Sequence, residues 1–166
     1  MVQKYSHQLA AGFSFGLTSG VLTALGIFIG MYSATDSKLA VVAGLVVLAI
    51  ADGLSDAAAM HVVEESEVEE GKSKHTPKEI WITTFCTFLA KVVVTLTFAI
   101  PVFLFPLETA APISVAWGII LLIVLNFYVA KTKKESPIKI ICEHVLLAII
   151  VVIISYWIGN LIATVA

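Results

Sequence analysis

The chain contains no arginine. All ten of its basic residues are Lys, set against 12 Asp and Glu for a net charge of −2. That balance leaves no basic face for nucleic acid, and no nucleic-acid partner is expected. Charge of either sign is scarce, at 13% of residues, where soluble domains carry about a quarter. Cysteine is scarcer still. Cys86 and Cys142 stand in separate apolar segments without a CxxC partner, which excludes a disulfide framework and predicts small buried apolar side chains. There is no Ser/His/Asp set, no phosphate loop and no His cluster within an apolar run. Hydrolysis and group transfer therefore lack their usual residues, and the chain is not expected to be an enzyme. Asp52 and Asp56 share one helix, unlike the opposed carboxyls of an aspartic protease.

What the chain has in abundance is apolar side chain: 59% hydrophobic, with a mean hydropathy of +0.99. A helix needs about 20 apolar residues to cross a bilayer. Five segments qualify, at about 9–32, 39–63, 80–105, 113–130 and 140–162. Long runs without strict alternation exclude a barrel. The expected fold is thus an all-α integral membrane protein, a single five-helix domain over 1–166. A short acidic cytoplasmic link occupies 64–79. The first apolar stretch is too long for a signal-peptide core and is expected to be retained as a span. Eight of the ten Lys fall on the side that holds the N-terminus and the links after spans two and four. The positive-inside rule then places the N-terminus in the cytosol and the C-terminus on the far side. Such a multi-pass protein belongs in the plasma membrane of a prokaryote, or in a vacuolar or other endomembrane of a eukaryote.

Asp52 and Asp56 sit where hydrocarbon should be. A carboxylate there costs a few kcal/mol even on gentle insertion scales, so it faces a bundle interior, a partner or an ion path. Four residues apart, they share one helical face, and Met60 and Glu64 continue the column. Carboxylate oxygens suit Mg²⁺, Mn²⁺ and Fe²⁺; the Met60 thioether favours softer ions. Lys91 lies 11 residues into span three, about 16 Å deep at 1.5 Å per residue, at a level where it meets Asp52. With Lys91 on Asp52, Asp56 is left to bind a cation or a proton. Glu64, Glu65, Glu67, Glu69 and Glu70 fall within seven residues and form either a cation-collecting mouth, with His75 nearby, or a solvated helix end. His61/Glu65 and Glu65/Glu69 are i, i+4 pairs if helix two runs on. Ser19, Thr23 and Ser55 are further candidates for the path; back-bonding to the preceding turn is the alternative for the hydroxyls of span one. Gly12, Gly16 and Gly20, with Gly26 and Gly30, allow close backbone approach within one subunit or between two. Pro101, Pro106 and Glu108 suggest a kink and an exit vestibule. Glu143 and His144 read as interfacial polar residues, and Asn126 as a hydrogen bond between helices.

These segments, in order, resemble the vacuolar iron transporter family over nearly the whole chain. Phe15-Gly16-Leu17-Thr18-Ser19-Gly20 is similar to its FG-x-x-DG segment. Ala51-Asp52-Gly53-Leu54-Ser55-Asp56-Ala57 is similar to its AD-x-LSMA segment. Phe85, Phe88, Pro101 and Pro106 resemble its third span, and Ser155-Tyr156-Trp157-Ile158-Gly159 its last. The resemblance implies a homodimer that moves Fe²⁺ or Mn²⁺ out of the cytosol against protons, along spans one and two. It implies no tightly bound cofactor; the metal is the substrate. The chain departs from the pattern at Ser19, where the family has Asp. It departs again at Asp56 and Met60, where the family's Met and Glu are exchanged, and at Lys91, where a small residue is usual. Asp56 is expected to compensate for Ser19, and Lys91 to replace an exchangeable proton. The dimer contact is expected through the glycines of span one. The competing expectation is a non-transporting membrane subunit locked by a structural Lys91–Asp52 pair.

Overall fold

The computed structural model describes residues 5–69, 72–133 and 136–165. Helix α1 is Ser6–Thr35 and α2 is Lys38–Ser66. Helix α3 is Pro77–Thr97, α4 Ala99–Leu104, α5 Leu107–Lys133 and α6 Pro137–Val165. A two-stranded antiparallel hairpin, β1 Val68–Glu69 and β2 Lys72–Ser73, lies in the α2–α3 link. With α3 and α4 taken as one span, five helices among the described residues are long and apolar enough to cross a membrane.

The helix ends follow from local chemistry. Asp36 takes a left-handed conformation (φ 46°) and its N–H closes α1 on the Tyr32 carbonyl. Ser37 then caps α2, accepting from the Ala40 N–H. Thr76 and Glu79 form a reciprocal capping box with Pro77 at the first turn of α3, each half satisfying an orphan donor. Helix α3 ends at its C-cap Phe98, whose N–H turns back to the Thr95 carbonyl. Pro101 has no N–H to give the Thr97 carbonyl, and the helix is interrupted just before it, at Phe98 between α3 and α4. Helix α5 begins six residues before the expected span, because the Pro106 carbonyl accepts from Thr109 and Ala110. The stretch expected as a link at 106–112 is thus mostly helix, and Pro112 is carried inside α5.

Helix α1 is the centre of the bundle and packs on α2, α3, α5 and α6. Its glycines explain how. A Cβ at Gly12 would stand 2.6 Å from the Thr83 carbonyl oxygen, and one at Gly16 would overlap that of Thr87. Gly26 lies less tightly beside Val151 and Ser155 of α6, and a Cβ at Gly30 would stand 3.8 Å from the Ser155 carbonyl oxygen. Both glycine rows therefore have neighbours within one chain, α3 and α6. The apolar core gathers Val21, Leu25, Phe28, Leu45, Phe98 and Leu122 in the half of the bundle away from the hairpin. Lys91, Thr83, Thr87 and Thr95 are buried on α3, which makes the α1–α3 seam unusually polar below that core.

Candidate functional site

Three helices meet around one ammonium group. Lys91 comes from the α1-facing side of α3 and is 0% exposed. Asp52 and Asp56 come from successive turns of α2, and Ser19 from the middle of α1. The Lys91 Nζ forms ion pairs with Oδ2 of both Asp52 and Asp56. It also donates to Ser19 Oγ at 3.0 Å, and Ser19 donates in turn to Asp56 Oδ2 at 2.6 Å. The sequence-based expectation of Lys91 on Asp52, with Asp56 left free, is corrected: the lysine holds both acids. It meets each through a single oxygen. The Asp52 side chain is 31% exposed and that of Asp56 18%, so the acids keep an open flank while the lysine has none. Gly53 and Ala57, buried on the neighbouring face of α2, let it approach α3; Gly53 lies against Phe88 and Val92.

The remaining candidates divide. Met60 is half-buried one turn below Asp56, so the column along α2 exists as read. Thr23 spends its hydroxyl on the Ser19 carbonyl, 2.9 Å away, the back-bonding alternative. Ser55 is exposed and stands outside the triad. At the end of α2, Glu64 is 5% exposed and lies 3.5 Å from His75 Nε2. His75, itself buried, also faces Glu67 Oε2 at 3.2 Å, which Lys74 reaches at 2.5 Å. The Lys74 bond, with His75 second, pulls the Glu67 carboxyl below the usual carboxylate range, and Glu67 raises Lys74. Glu65 and Glu69 are exposed; Glu70 lies outside the described residues. The expected Glu65/Glu69 helical pair is absent because α2 stops at Ser66. His61 turns to α3 instead, donating to Thr84 Oγ1 at 3.0 Å and meeting the Trp81 ring edge-on at 4.7 Å. The acidic run is therefore a docked link as much as a mouth. Among the described residues, no three or more His, Cys, Asp or Glu side chains are arranged to hold a metal ion.

Four residues departed from the sequence expectations. Cys142 is exposed, not buried; Cys86 is half-buried with its thiol on the Leu9 carbonyl at 3.4 Å. Asn126 bonds within its own helix, Nδ2 to the Leu122 carbonyl at 2.8 Å, and not across helices. His75 was seen only as a neighbour of the acids, since its anchoring role depends on the hairpin folding back.

No family model matches the chain. An uncharacterized protein of Methanocaldococcus jannaschii, MJ0645, is 30% identical over 142 residues, with 74% of each chain covered. The chain belongs to the family of that archaeal protein. For this member of the MJ0645 family, what can be argued about activity rests on the chemistry of the triad.

That chemistry is set by charge. Two carboxylates and one ammonium leave one net negative charge among apolar helices. Such a charge is unfavourable in hydrocarbon unless a further positive charge joins it. The contacts to the lysine run through Oδ2 of each acid, and a carboxylate has a second oxygen that can act as a hard donor.

Proposed function

We infer that this chain is a multi-pass membrane transporter that moves a divalent transition metal, Fe²⁺ or Mn²⁺, out of the cytosol in exchange for protons. The N-terminus is then cytosolic, as the lysine distribution favours. The observation that carries the reading is the triad itself: a fully enclosed Lys91 holding two partly open acids at mid-height in the bundle. A divalent ion on Asp52 and Asp56 beside a charged Lys91 leaves a net positive charge. The same ion beside a neutral lysine is balanced. Metal entry is thus linked to loss of the Lys91 proton, and proton return to metal release. Ser19 keeps the ammonium and Asp56 in register through the cycle. The resemblance of the segments, in order, to those of the vacuolar iron transporters supports this reading, as do the acids of the α2 end. A second copy of the chain, in this account, covers the open flank of α2, since the glycine rows of α1 are already occupied.

The charge-locked structural subunit is the second reading, favoured by the way one lysine ties α1, α2 and α3 together. Flux separates them. Purified protein in liposomes is expected to move Mn²⁺ when a pH gradient is imposed, with Fe²⁺ competing better than Mg²⁺ or Zn²⁺. Asp56→Asn and Asp52→Asn are expected to abolish the flux. Movement no faster than in protein-free liposomes leaves the structural reading standing.

A further inference from the structure

A second polar site lies on another face of α1. Ser14 and Thr18, one helical turn apart, line a cleft of about 380 Å³ together with Asn126 of α5 and Glu143 and His144 of α6. Thr18 is the immediate neighbour of Ser19, and adjacent residues on a helix point about 100° apart. The cleft and the triad therefore share a level, with α1 as the wall between them. The hydrogen bonds fix what the cleft offers. His144 donates its Nδ1–H to the Ile140 carbonyl at 2.9 Å; in the neutral ring this leaves Nε2 as a lone-pair acceptor. That is the arrangement by which a backbone carbonyl orients a metal-binding imidazole. Asn126 has committed its Nδ2 to Leu122, so the group it can present is its carbonyl oxygen. Asn126 is 3% exposed and forms the inner wall of the cleft. Glu143 adds a carboxylate, and the two hydroxyls can also accept. Each of these side chains thus offers an acceptor atom, with one formal negative charge, beside the donors of the amide and the two hydroxyls.

We propose that this cleft is a second cation site, taking a divalent transition metal on His144 Nε2 and the Glu143 carboxylate. The oxygens of Asn126, Ser14 and Thr18 complete the shell. An imidazole selects transition ions over Mg²⁺ and Ca²⁺, and the oxygens suit Mn²⁺ and Fe²⁺ over softer ions. The site has only two ligands of the His, Cys, Asp and Glu types, with the rest neutral oxygen, consistent with the absence of any larger cluster of those types among the described residues. The proposal stands on the cleft alone. It holds whether or not the triad transports.

The test is Mn²⁺ added to the full chain in nanodiscs, read by pulsed electron paramagnetic resonance for nitrogen coupled to the metal. The triad contains no histidine, so an imidazole signal, as distinct from an amine one, reports another site. The expected result is a nitrogen coupling that His144→Asn removes and His75→Asn leaves in place. The Asn variant keeps a donor for the Ile140 carbonyl. Binding weakens by more than the roughly tenfold that loss of a supporting group costs. Should His144→Asn not fold, Glu143→Gln, which leaves that bond untouched, is expected to weaken Mn²⁺ to a similar degree. No nitrogen coupling in the wild type, or a coupling that follows His75, overturns the proposal. Because the readout is binding, a failed liposome flux beside a His144-dependent signal counts against transport only.

Discussion

At the scale of the residue, Lys91 decides the most. Its charge is enclosed on all sides, while the acids it holds are not. Breaking a buried pair by removing one partner costs about 3–5 kcal/mol. Lys91→Met is accordingly expected to destabilise the protein by an amount at the lower end of that range, since Asp52 and Asp56 keep some solvent access. Adding Asp52→Asn and Asp56→Asn is expected to recover most of the loss. Unfolding in mild detergent reads both numbers, and a triple variant no more stable than the single one contradicts the triad. Gly16 gives a second residue-scale expectation. Its Cβ would meet the α3 backbone, which cannot swing aside. Gly16→Ala is expected to cost about 1–3 kcal/mol, as overpacking does, and Gly16→Leu to prevent the helices from closing. The acids were visible in the sequence because a carboxylate within an apolar run is anomalous wherever it stands. That one lysine would hold both was not visible, because the azimuth of Lys91 depends on how closely Gly12 and Gly16 let α3 approach.

At the scale of the element, the α2–α3 link is where sequence and structure part most. Its acids were legible as a run, but the hairpin returns Lys74 and His75 onto Glu67 and Glu64, and that depends on pairing over a few residues. Solution pH should grade this docking. Glu67 has a lowered pKa, so its contribution is fully present above the ordinary carboxylate value and disappears as pH falls through the lowered one. Lys74 has a raised pKa, so its contribution is fully present below the ordinary lysine value and disappears as pH rises through the raised one. The link is thus expected to stay docked across neutral pH and to loosen in acid. Hydrogen exchange at the Lys74 amide, which bonds the Glu67 carbonyl at 3.0 Å, checks it once corrected for the intrinsic rate. Uniform protection down through the acid range contradicts the pairing. The helices themselves were readable from hydrophobic length, and their ends were less so. Helix α5 starts early because Pro106 offers its carbonyl to the first turn, a capping effect that hydropathy does not register.

At the scale of the whole molecule, α1 separates two polar regions: the triad shared with α2 and α3, and the cleft shared with α5 and α6. The five apolar segments were legible in the chain. Their arrangement around α1 was not, because glycine rows permit close contact on several faces without saying which partner fills each. The account of function turns on charge balance at the triad. A divalent ion there is expected to displace the Lys91 proton, so binding and proton release are one event. The direct measurement is proton release on adding Mn²⁺ to the purified, weakly buffered protein, made in His144→Asn so that the cleft stays empty. The account predicts about one proton released for each Mn²⁺ bound. Mn²⁺ binding at Asp52 and Asp56 with no proton released would contradict it.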